Sequence, residues 1–444
     1  MTRKLRSLYL TLILNPKYRN FRRLLAELRR LLTFKRHVVH VFLQLDDPYS
    51  YLLSHYLQFV SAQYKVEFQL YLCPALRNEF MPQPAMLAEY AVTDCTLLAR
   101  EFGIPFLDKG KSPIVEHRRL LLDFLAEEQG QADFLETFHR ALSCYWRGDS
   151  EGAARLVGRM QPERSETNIL IAKNQLLLRK MGHYNSAMMF YAGEWYWGVD
   201  RLAYLCKRLD SLRARQDPEP GPELQSLAQA SQPNLPAAIP DSAKDLPALQ
   251  IYHSFRSPYS YIALKRTFDL ADAFGLKLEI KPVLPMVMRG MVIPKSKLLY
   301  IAMDANREAQ RMNIPFGKIC DPVGKGAERC IAAFFYAKSQ NKDRLFSLSV
   351  GHAIWAEGID VASDDGMRAV TERVGLFWPE VMEAMAGDSW RDTVSSNRDA
   401  LSEVGLWGVP SFVLGDLALW GQDRDWLLAR QIEDMCSSGD GILV

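Results

Sequence analysis

One local pattern occurs twice in this chain, in the same order and at a fixed spacing. Residues 38–51, VVHVFLQLDDPYSY, and residues 248–261, ALQIYHSFRSPYSY, both run from a strand-like apolar stretch into Pro-Tyr-Ser-Tyr, which starts at positions 48 and 258, 210 residues apart. The same offset relates three further pairs, namely Tyr90 and Tyr300, Asp94 and Asp304, and the Ile-Pro-Phe sequences at 104–106 and 314–316. Several matches in register predict two copies of one domain.

The ends of the two copies and the segment between them divide the chain. Each copy closes with Trp-Gly-x-Asp-Arg, at 197–201 and at 420–424. Asp217 to Pro247 contains seven prolines together with Gln, Ser and Ala, a composition that resists helix and sheet and is typical of a partly extended linker. We therefore predict a basic leader at 1–37, a domain at 38–210, a Pro-rich linker at 211–247 and a second domain at 248–436.

The order of apolar runs in each copy predicts a mixed α/β fold. In the second copy, strand-like runs at Leu249–Phe255 and Lys277–Val283 enclose a helical pattern, and a long helical stretch follows. Two short strands, Ser411–Leu414 and Leu417–Trp420, then precede a last helix. This order predicts two tandem thioredoxin-like domains, each with an inserted helical subdomain, plus an N-terminal amphipathic helix, although periodicity alone allows other α/β arrangements.

Positive charge is concentrated at the N-terminus. Residues 1–36 contain eleven Lys or Arg and one acid, Glu27, whereas the whole chain has a net charge of +2. The remainder is therefore acidic, which argues against a nucleic-acid binder. Leucines recur at helical spacing in this leader, arginines occupy its other faces, and Asn15-Pro16 supplies a helix start. Two alternatives stay open: the helix binds an anionic membrane surface, or its apolar stripe docks on a domain or on a second subunit of a homodimer.

Cysteine usage and the apolar runs bear on metal binding and location. The seven cysteines form no Cys-x-x-Cys and no metal-like cluster, and the eight histidines are scattered, so we predict neither a disulfide scaffold nor a metal site. The apolar stretch Ser7–Leu14 ends without a signal-peptide cleavage site, and no window reaches the length of a membrane span. We expect a cytoplasmic protein, held peripherally at the inner face of the membrane if the leader binds lipid.

Two short motifs of the second copy carry the chemistry. Ser257-Pro258-Tyr259-Ser260 lies where a strand becomes a helix, and the free backbone N–H groups and the positive end of the helix dipole stabilise an anion there. The same residues fit simple helix capping, with Ser at the N-cap and Pro at the first helical position. Gly408-Val409-Pro410 precedes a strand, where proline is either an edge residue or part of a cis peptide that exposes backbone to a ligand.

The second copy resembles the 2-hydroxychromene-2-carboxylate isomerases and the kappa-class glutathione transferases, within the DsbA-like thioredoxin group. The matching segments follow the family order across nearly all of residues 248–435: Phe255–Tyr261, Lys297–Tyr300, Asn313–Pro315, Ile354–Gly358, Gly408–Pro410 and Trp420–Arg424. The resemblance implies that glutathione is the cofactor and that the chemistry lies in the C-terminal domain.

The resemblance also implies roles for individual residues. Ser257 would orient and activate the sulfur of glutathione, and Val409, before a cis Pro410, would pair its backbone with the cysteinyl part. Gln422 and Asp423 would receive the γ-glutamyl end, with the carboxylate of Asp423 matching the ammonium group. Plain helix capping also accounts for an acid at that position.

Three further positions near this motif bear on the substrate. Lys297 falls on a family lysine near the tripeptide and would pair with a carboxylate, unless it is merely a solvated lysine. The family commonly has Asp three residues before the active Ser, where this chain has Ser254, and His253 has no assigned role. Arg256 either favours a thiolate or acidic substrate beside Ser257 or points to solvent from the strand end.

The first copy lacks most of this set. Where the second copy has Ser257, Lys297 and Val409-Pro410, the first has Asp47, Leu87 and Ser186-Ala187, and Val199 replaces Gln422. A carboxylate at position 47 would repel a thiolate. We therefore expect the first copy to be catalytically silent, with a structural or regulatory role.

The function that these features predict is a glutathione-dependent isomerase or transferase acting on an aromatic or otherwise electrophilic small molecule. In the isomerase version, the activated thiol adds to a conjugated carbonyl compound, rotation follows about the bond made single, and elimination regenerates glutathione. One alternative is a non-catalytic binding or scaffold protein with two drifted thioredoxin-like domains. A DsbA-like disulfide oxidoreductase is disfavoured, because the motif contains no sulfur.

Overall fold

The computed structural model describes residues 3–75, 82–107, 113, 115–158, 164–216, 221–230 and 232–438. Two compact units make up the chain. Asn20–Gln232 forms the N-terminal unit, and Pro233–Val444 together with Met1–Arg19 forms the C-terminal unit. The leader is therefore divided between the two units.

Two helices form the leader, α1 (Arg3–Leu14) and α2 (Pro16–Leu32). Asn15 separates them, and its side-chain oxygen accepts a hydrogen bond from the backbone N–H two residues on at 2.8 Å, so the predicted helix start is confirmed. In the C-terminal unit, the carbonyl of Leu14 accepts a hydrogen bond from Asn306 Nδ2 at 2.8 Å. Within the described part of the chain, no helix combines the length and the apolar character needed to cross a bilayer.

The N-terminal unit is built on a sheet with the strand order β2-β1-β3-β4. Its strands are β1 (His37–Leu43), β2 (Val66–Leu72), β3 (Met188–Tyr191) and β4 (Glu194–Trp197). Its further helices are α3 (Pro48–Gln63), α4 (Pro84–Phe102), α5 (Arg118–Glu128), α6 (Phe134–Arg147), α7 (Ser150–Val157), α8 (Arg164–Lys180), α9 (Leu202–Asp210) and α10 (Pro222–Ala230). β1 is central, parallel to β2 and antiparallel to β3, and its apolar side chains are buried on both faces of the sheet.

The C-terminal unit has a sheet with the corresponding order β6-β5-β7-β8. Its strands are β5 (Leu249–His253), β6 (Leu278–Pro282), β7 (Ser411–Leu414) and β8 (Leu417–Trp420). Its helices are α11 (Pro258–Phe274), α12 (Lys295–Arg311), α13 (Lys325–Ser339), α14 (Asp343–His352), α15 (Asp364–Glu372), α16 (Trp378–Ala386), α17 (Trp390–Glu403) and α18 (Asp425–Ser438). The predicted α/β fold, with a helical insertion between a βαβ half and a ββα half, is confirmed.

Corresponding residues of the two sequence copies make corresponding contacts. Tyrosine hydroxyls donate to buried aspartates and to loop carbonyls in four hydrogen bonds: Tyr49 to Asp94 (2.8 Å), Tyr259 to Asp304 (2.9 Å), Tyr51 to Pro105 O (2.5 Å) and Tyr261 to Pro315 O (2.9 Å). Each bond ties the first helix after the Pro-Tyr-Ser-Tyr turn to the helical insertion. The matched residues therefore have the same structural role in both units.

The segment expected to be a partly extended linker contains a helix. α10 occupies Pro222–Ala230 and packs on α3 and α4, and its Leu227 is buried. Pro222 takes the first position of the helix, where its missing N–H costs nothing, and the next proline is Pro233. The expectation that the whole linker resists helix is therefore wrong for these nine residues.

Candidate active site

Ser257 is the N-cap of α11. It has extended backbone (φ −95°, ψ 116°), Pro258 occupies the first helical position, and Ser257 Oγ accepts a hydrogen bond from Ser260 N at 3.1 Å. The capping interpretation is thus confirmed. The same hydroxyl donates to the carbonyl oxygen of Val409 at 3.3 Å, and Ser257 remains partly exposed to solvent. It can therefore both cap the helix and face a ligand.

Sheet pairing brings Val409 to Ser257 from 152 residues away in sequence. β5 and β7 are antiparallel, with Tyr252 opposite Ser411, so the residues just before β7 lie beside the end of β5. The peptide bond between Val409 and Pro410 is cis, as predicted. Half-buried Val409 presents its backbone at the edge of this site.

Gly408 allows this loop to pack against an aromatic pair. The rings of Trp407 and Trp420 have centroids 4.7 Å apart. A Cβ built on Gly408 would lie 2.3 Å from Trp420 Cε2, so any larger residue would clash with the indole. Ser411 Oγ also donates to the carbonyl of Gly408 at 3.0 Å. The loop before β7 is therefore held on both sides.

The turn after β8 lies beside the cis proline, because Gly421 N donates to Pro410 O at 3.0 Å. Gln422 is only 2% exposed, and its side-chain amide is engaged on both ends: Nε2 donates to Glu308 Oε2 at 2.9 Å, and Oε1 accepts from Arg266 Nη1 at 2.9 Å. Its side chain thus belongs to a buried polar network rather than to an open site. Asp423 is half-buried, and its Oδ1 lies 3.7 Å from Arg424 Nη1.

Two cationic residues, Arg289 and Lys297, lie in the segment between β6 and α12 and in the first turn of α12. Lys297 is half-buried, and burial lowers the pKa of its ammonium group. Arg289 Nη2 donates to the carbonyl of Trp407 at 2.9 Å, next to the Gly-Val-Pro loop. Arg289 Nε is buried with no hydrogen-bond partner among the described residues, and burial lowers the pKa of this guanidinium. Sequence reasoning missed Arg289, since only the fold brings it to position 407.

Arg256 forms an ion pair instead of taking either predicted position. Its Nε and Nη2 donate to the two carboxylate oxygens of Asp321 at 2.8 and 2.9 Å, and both side chains are mostly buried. The expectation that Arg256 points to solvent is therefore wrong, and Asp321 balances its positive charge beside Ser257. A paired guanidinium gives Ser257 little net field, because the carboxylate cancels most of its charge.

The residues that precede the motif are buried. His253 and Ser254 are each 2% exposed, and neither ring nitrogen of His253 nor Ser254 Oγ has a hydrogen-bond partner within the described ranges. Burial lowers the pKa of His253 to about 3, so the imidazole is neutral at physiological pH. Ser254 therefore supplies no charge where the family commonly has Asp.

Asp47 fills the corresponding position of the N-terminal unit. Its Oδ1 accepts from Tyr49 N at 3.2 Å, and its Oδ2 accepts from the hydroxyls of Ser50 at 2.6 Å and Ser186 at 2.9 Å. Burial raises the pKa of Asp47, and the hydrogen bonds from the two serines act in the opposite direction. The carboxylate thus bridges the helix start to the loop before β3, where the C-terminal unit has a hydroxyl and a half-exposed valine.

No group of three or more His, Cys, Asp or Glu side chains in the described part of the chain is arranged to hold a metal ion.

Comparison with known proteins assigns the half of the chain that contains this site. Residues 248–433 match the family model of the DSBA-like thioredoxin domain. The C-terminal half of the chain is a DsbA-like thioredoxin domain. The predicted resemblance to the DsbA-like thioredoxin group is thereby confirmed for this half.

Curated relatives of this DsbA-like domain carry one name. The chain is 26% identical over 196 residues to a 2-hydroxychromene-2-carboxylate isomerase of Pseudomonas putida, covering 42% of this chain and 95% of that protein. It is 27% identical over 186 residues to the enzyme of the same name from Sphingobium xenophagum, covering 40% of this chain and 93% of that protein. A solved 2-hydroxychromene-2-carboxylate isomerase structure has 26% identity and a TM-score of 0.38, covering 43% of this chain and 97% of that chain.

Proposed function

We propose that the DsbA-like domain is a glutathione-dependent isomerase that acts on a small conjugated carboxylate. The observation that carries the proposal is the hydrogen bond from Ser257 Oγ to the carbonyl of Val409 at the start of α11. It places a hydroxyl, a helix N-terminus and a backbone edge within one small volume. The relatives of this domain are isomerases of 2-hydroxychromene-2-carboxylate, an aromatic carboxylate.

The residues present fit the tripeptide. Glutathione, when bound, supplies a thiolate that adds reversibly to a conjugated substrate. Ser257 can turn its hydroxyl proton from Val409 O to the sulfur, and the N-terminus of α11 favours the negative charge there. The backbone of Val409 pairs with the cysteinyl part of the tripeptide. Each contribution favours the thiolate over the thiol, which lowers the pKa of the sulfur.

Fewer side chains would bind the γ-glutamyl end of the tripeptide than the sequence predicts. The carboxylate of Asp423 matches the ammonium group of the tripeptide. The amide of Gln422 is held by Glu308 and Arg266, so we assign Gln422 a supporting role in shaping this turn. Binding at this end then depends on the charge of Asp423 and on the backbone of the turn.

Positive charge for a substrate or tripeptide carboxylate comes from Lys297 and Arg289. Burial lowers the pKa of both groups, which means that their charged forms lack part of the solvation they have in water. A carboxylate placed beside them restores that stabilisation. This balance favours an acidic substrate over a neutral one.

We further propose that the N-terminal unit arose from the same domain and does not bind glutathione. Its Asp47 carboxylate holds the hydroxyls of Ser50 and Ser186 at the place where the C-terminal unit offers Ser257. A thiolate there would meet like charge. The unit thus keeps the shared tyrosine contacts and has lost the site.

Titration calorimetry of the full chain with reduced glutathione tests the proposal. We expect one equivalent per chain, a loss of affinity in Asp423→Asn, and unchanged affinity in Asp200→Asn, which alters the corresponding aspartate of the N-terminal unit. Addition of 2-hydroxychromene-2-carboxylate should then give isomerisation that requires glutathione. Two equivalents per chain, no binding, or turnover without glutathione would each contradict the proposal.

A further inference from the structure

The leader helix α2 packs on the N-terminal unit through its polar face. Arg23 Nε and Nη2 donate to the carboxylate of Glu194 at 2.5 and 2.7 Å, and Arg208 Nη2 donates to the carbonyl of Arg23 at 3.4 Å. One and two turns on, Glu27 and Arg30 pair with each other on the same side of the helix. These contacts fix which face of α2 meets the domain.

The opposite face of α2 is apolar and open to solvent. Its large side chains are between 46% and 79% exposed: Phe21, Leu24, Leu25, Leu28, Leu31 and Leu32. Phe34, just after the helix, is 95% exposed. The apolar stripe therefore does not pack on the N-terminal unit, which contacts the opposite face of α2.

This arrangement inverts the usual one. A helix on the surface of a soluble domain turns its apolar stripe inward and its charges outward, whereas α2 turns ion-paired arginines inward and leucines outward. A continuous apolar stripe of this length marks an interaction surface, because leaving it in water is unfavourable. The structure therefore calls for a partner that covers α2 from outside.

Charge identifies the partner. Between residues 20 and 36 the chain has six Lys or Arg and one acid, Glu27. Arg22 and Arg29 flank the apolar stripe on the helix surface, and Lys35 and Arg36 are exposed at its end. If a second copy covered the same stripe, these arginines would approach their own counterparts and repel. An anionic lipid surface would bury the leucines and attract the cations.

We propose that α2 is an interfacial anchor that lies flat on a bilayer containing anionic lipid. Its leucines and Phe34 enter the boundary between headgroups and acyl chains, while Arg29 reaches sideways to lipid phosphates. Arg22 donates to the carbonyl of Gly193 at 3.5 Å and so helps to hold the helix on the domain. The inward ion pair between Arg23 and Glu194 keeps the helix attached to the domain. Binding then combines apolar burial with electrostatic attraction and weakens as salt rises.

Vesicle co-sedimentation of the full chain tests the proposal, with phosphatidylcholine vesicles prepared with and without phosphatidylglycerol. The test variant is Leu24→Glu with Leu28→Glu, at positions that are 56% and 46% exposed. The matched control is Leu345→Glu with Met382→Glu, at positions of the C-terminal unit that are 57% and 43% exposed. Both variants remove two exposed apolar side chains and add two negative charges, so only location differs.

We expect the unaltered chain and the Leu345 and Met382 control to sediment with the anionic vesicles at low salt and to lose this binding at high salt. Neither should sediment with vesicles of pure phosphatidylcholine. The Leu24 and Leu28 variant should bind at least about tenfold more weakly. Equal sedimentation of the two variants, or no vesicle binding by the unaltered chain, overturns the proposal. A dimer in solution that this variant alone dissociates, without lipid binding, would assign the stripe to a second copy and also overturn it.

Discussion

Ser257 Oγ lies 3.3 Å from the carbonyl oxygen of Val409 and donates its proton there. The hydroxyl is thus held by two backbone groups, Ser260 N on the helix side and Val409 O on the loop side. In the N-terminal unit the corresponding link runs between side chains, from Ser186 Oγ to Asp47 Oδ2 at 2.9 Å. The same arrangement of helix start and loop therefore carries a hydroxyl that a ligand could engage in the C-terminal unit and a carboxylate held by two serine hydroxyls in the N-terminal unit.

Replacing Ser257 by Ala should affect both stability and turnover. Loss of the N-cap costs about 1 kcal/mol of folding free energy. Loss of a hydrogen bond to a thiolate costs a further amount of about 1.5–3 kcal/mol in catalysis, or roughly 10- to 150-fold in kcat/KM. Thermal denaturation and isomerisation of 2-hydroxychromene-2-carboxylate measure the two effects.

Ser363→Ala is the matched control for Ser257→Ala. Ser363 caps α15 in the same way, accepting from Gly366 N at 3.1 Å, and lies outside the candidate site. We expect it to lose about the same stability and to keep full turnover. Equal turnover of the two variants would remove Ser257 from the chemistry and leave it a cap.

Replacing Asp47 by Asn should stabilise the N-terminal unit at neutral pH. Burial raises the pKa of Asp47 above its ordinary value of 3.8, so the folded state binds a proton more tightly than the unfolded state. The stability of the unaltered protein therefore falls as pH rises from about 4 through the folded pKa. Asn keeps the size of the side chain and does not titrate, so this fall should be missing from its stability profile.

Denaturant unfolding between pH 4 and pH 8 checks the Asp47 prediction. Asp149→Asn serves as control, because Asp149 also caps a helix, accepting from Gly152 N at 2.8 Å. We expect the gain in Asp47→Asn to be greatest at the highest pH. An Asn variant that is less stable than the unaltered protein at pH 7 would show that the carboxylate is needed as a hydrogen-bond acceptor.

Much of the fold could be predicted from local pattern. The strands Ser411–Leu414 and Leu417–Trp420 have the predicted bounds. Both are short apolar runs, and a Gly-Asp turn lies between them. β5 ends at His253, two residues before the predicted end, because the chain turns toward the helix cap. The overall proline content of the linker does not indicate α10, because the prolines lie on either side of residues 223–232, which contain none.

The site could be predicted only in part. Ser257 and Val409 each lie in a recognisable local motif, and the resemblance placed them together. Arg289 and the pairing of Arg256 with Asp321 depend on tertiary contacts between residues far apart in sequence. No periodicity encodes such pairs, and the same limit applies to Gln422, whose partner Glu308 comes from the helical insertion.

Replacing Gly408 by Ala should destabilise the C-terminal unit and disturb the site. The new Cβ would lie 2.3 Å from the Trp420 indole, so either the ring or the loop that carries Val409 must move. Overpacking of this kind typically costs about 1–3 kcal/mol. Gly387→Ala is the control, because the nearest atom to its new Cβ is 3.7 Å away.

Unfolding curves and glutathione affinity measure the Gly408 effect. We expect Gly408→Ala to lower the free energy of unfolding and to weaken glutathione binding. Gly387→Ala should change neither free energy by more than about 0.5 kcal/mol. Normal glutathione affinity in Gly408→Ala would show that the tripeptide does not depend on the position of this loop.

Replacing His253 by Leu should make the C-terminal unit more resistant to acid. Burial lowers the pKa of His253 to about 3, against 6.5 for an ordinary histidine, so the unfolded state binds more protons throughout that range. Stability of the unaltered protein is therefore lost as pH falls from about 6.5 toward 3, by at most about 5 kcal/mol from this group. Leu is the residue that the N-terminal unit carries at the corresponding position, Leu43, where it is fully buried.

Two variants at position 253 separate titration from packing. His253→Leu and His253→Gln both remove the titrating group, so both should flatten the acid side of the stability profile between pH 6.5 and pH 3. At pH 7 only Leu should gain stability, because the buried ring nitrogens have no partner among the described residues and Gln would again bury unpaired polar atoms. If the acid side of the profile is as steep in both variants as in the unaltered protein, its cause lies in other groups of the chain.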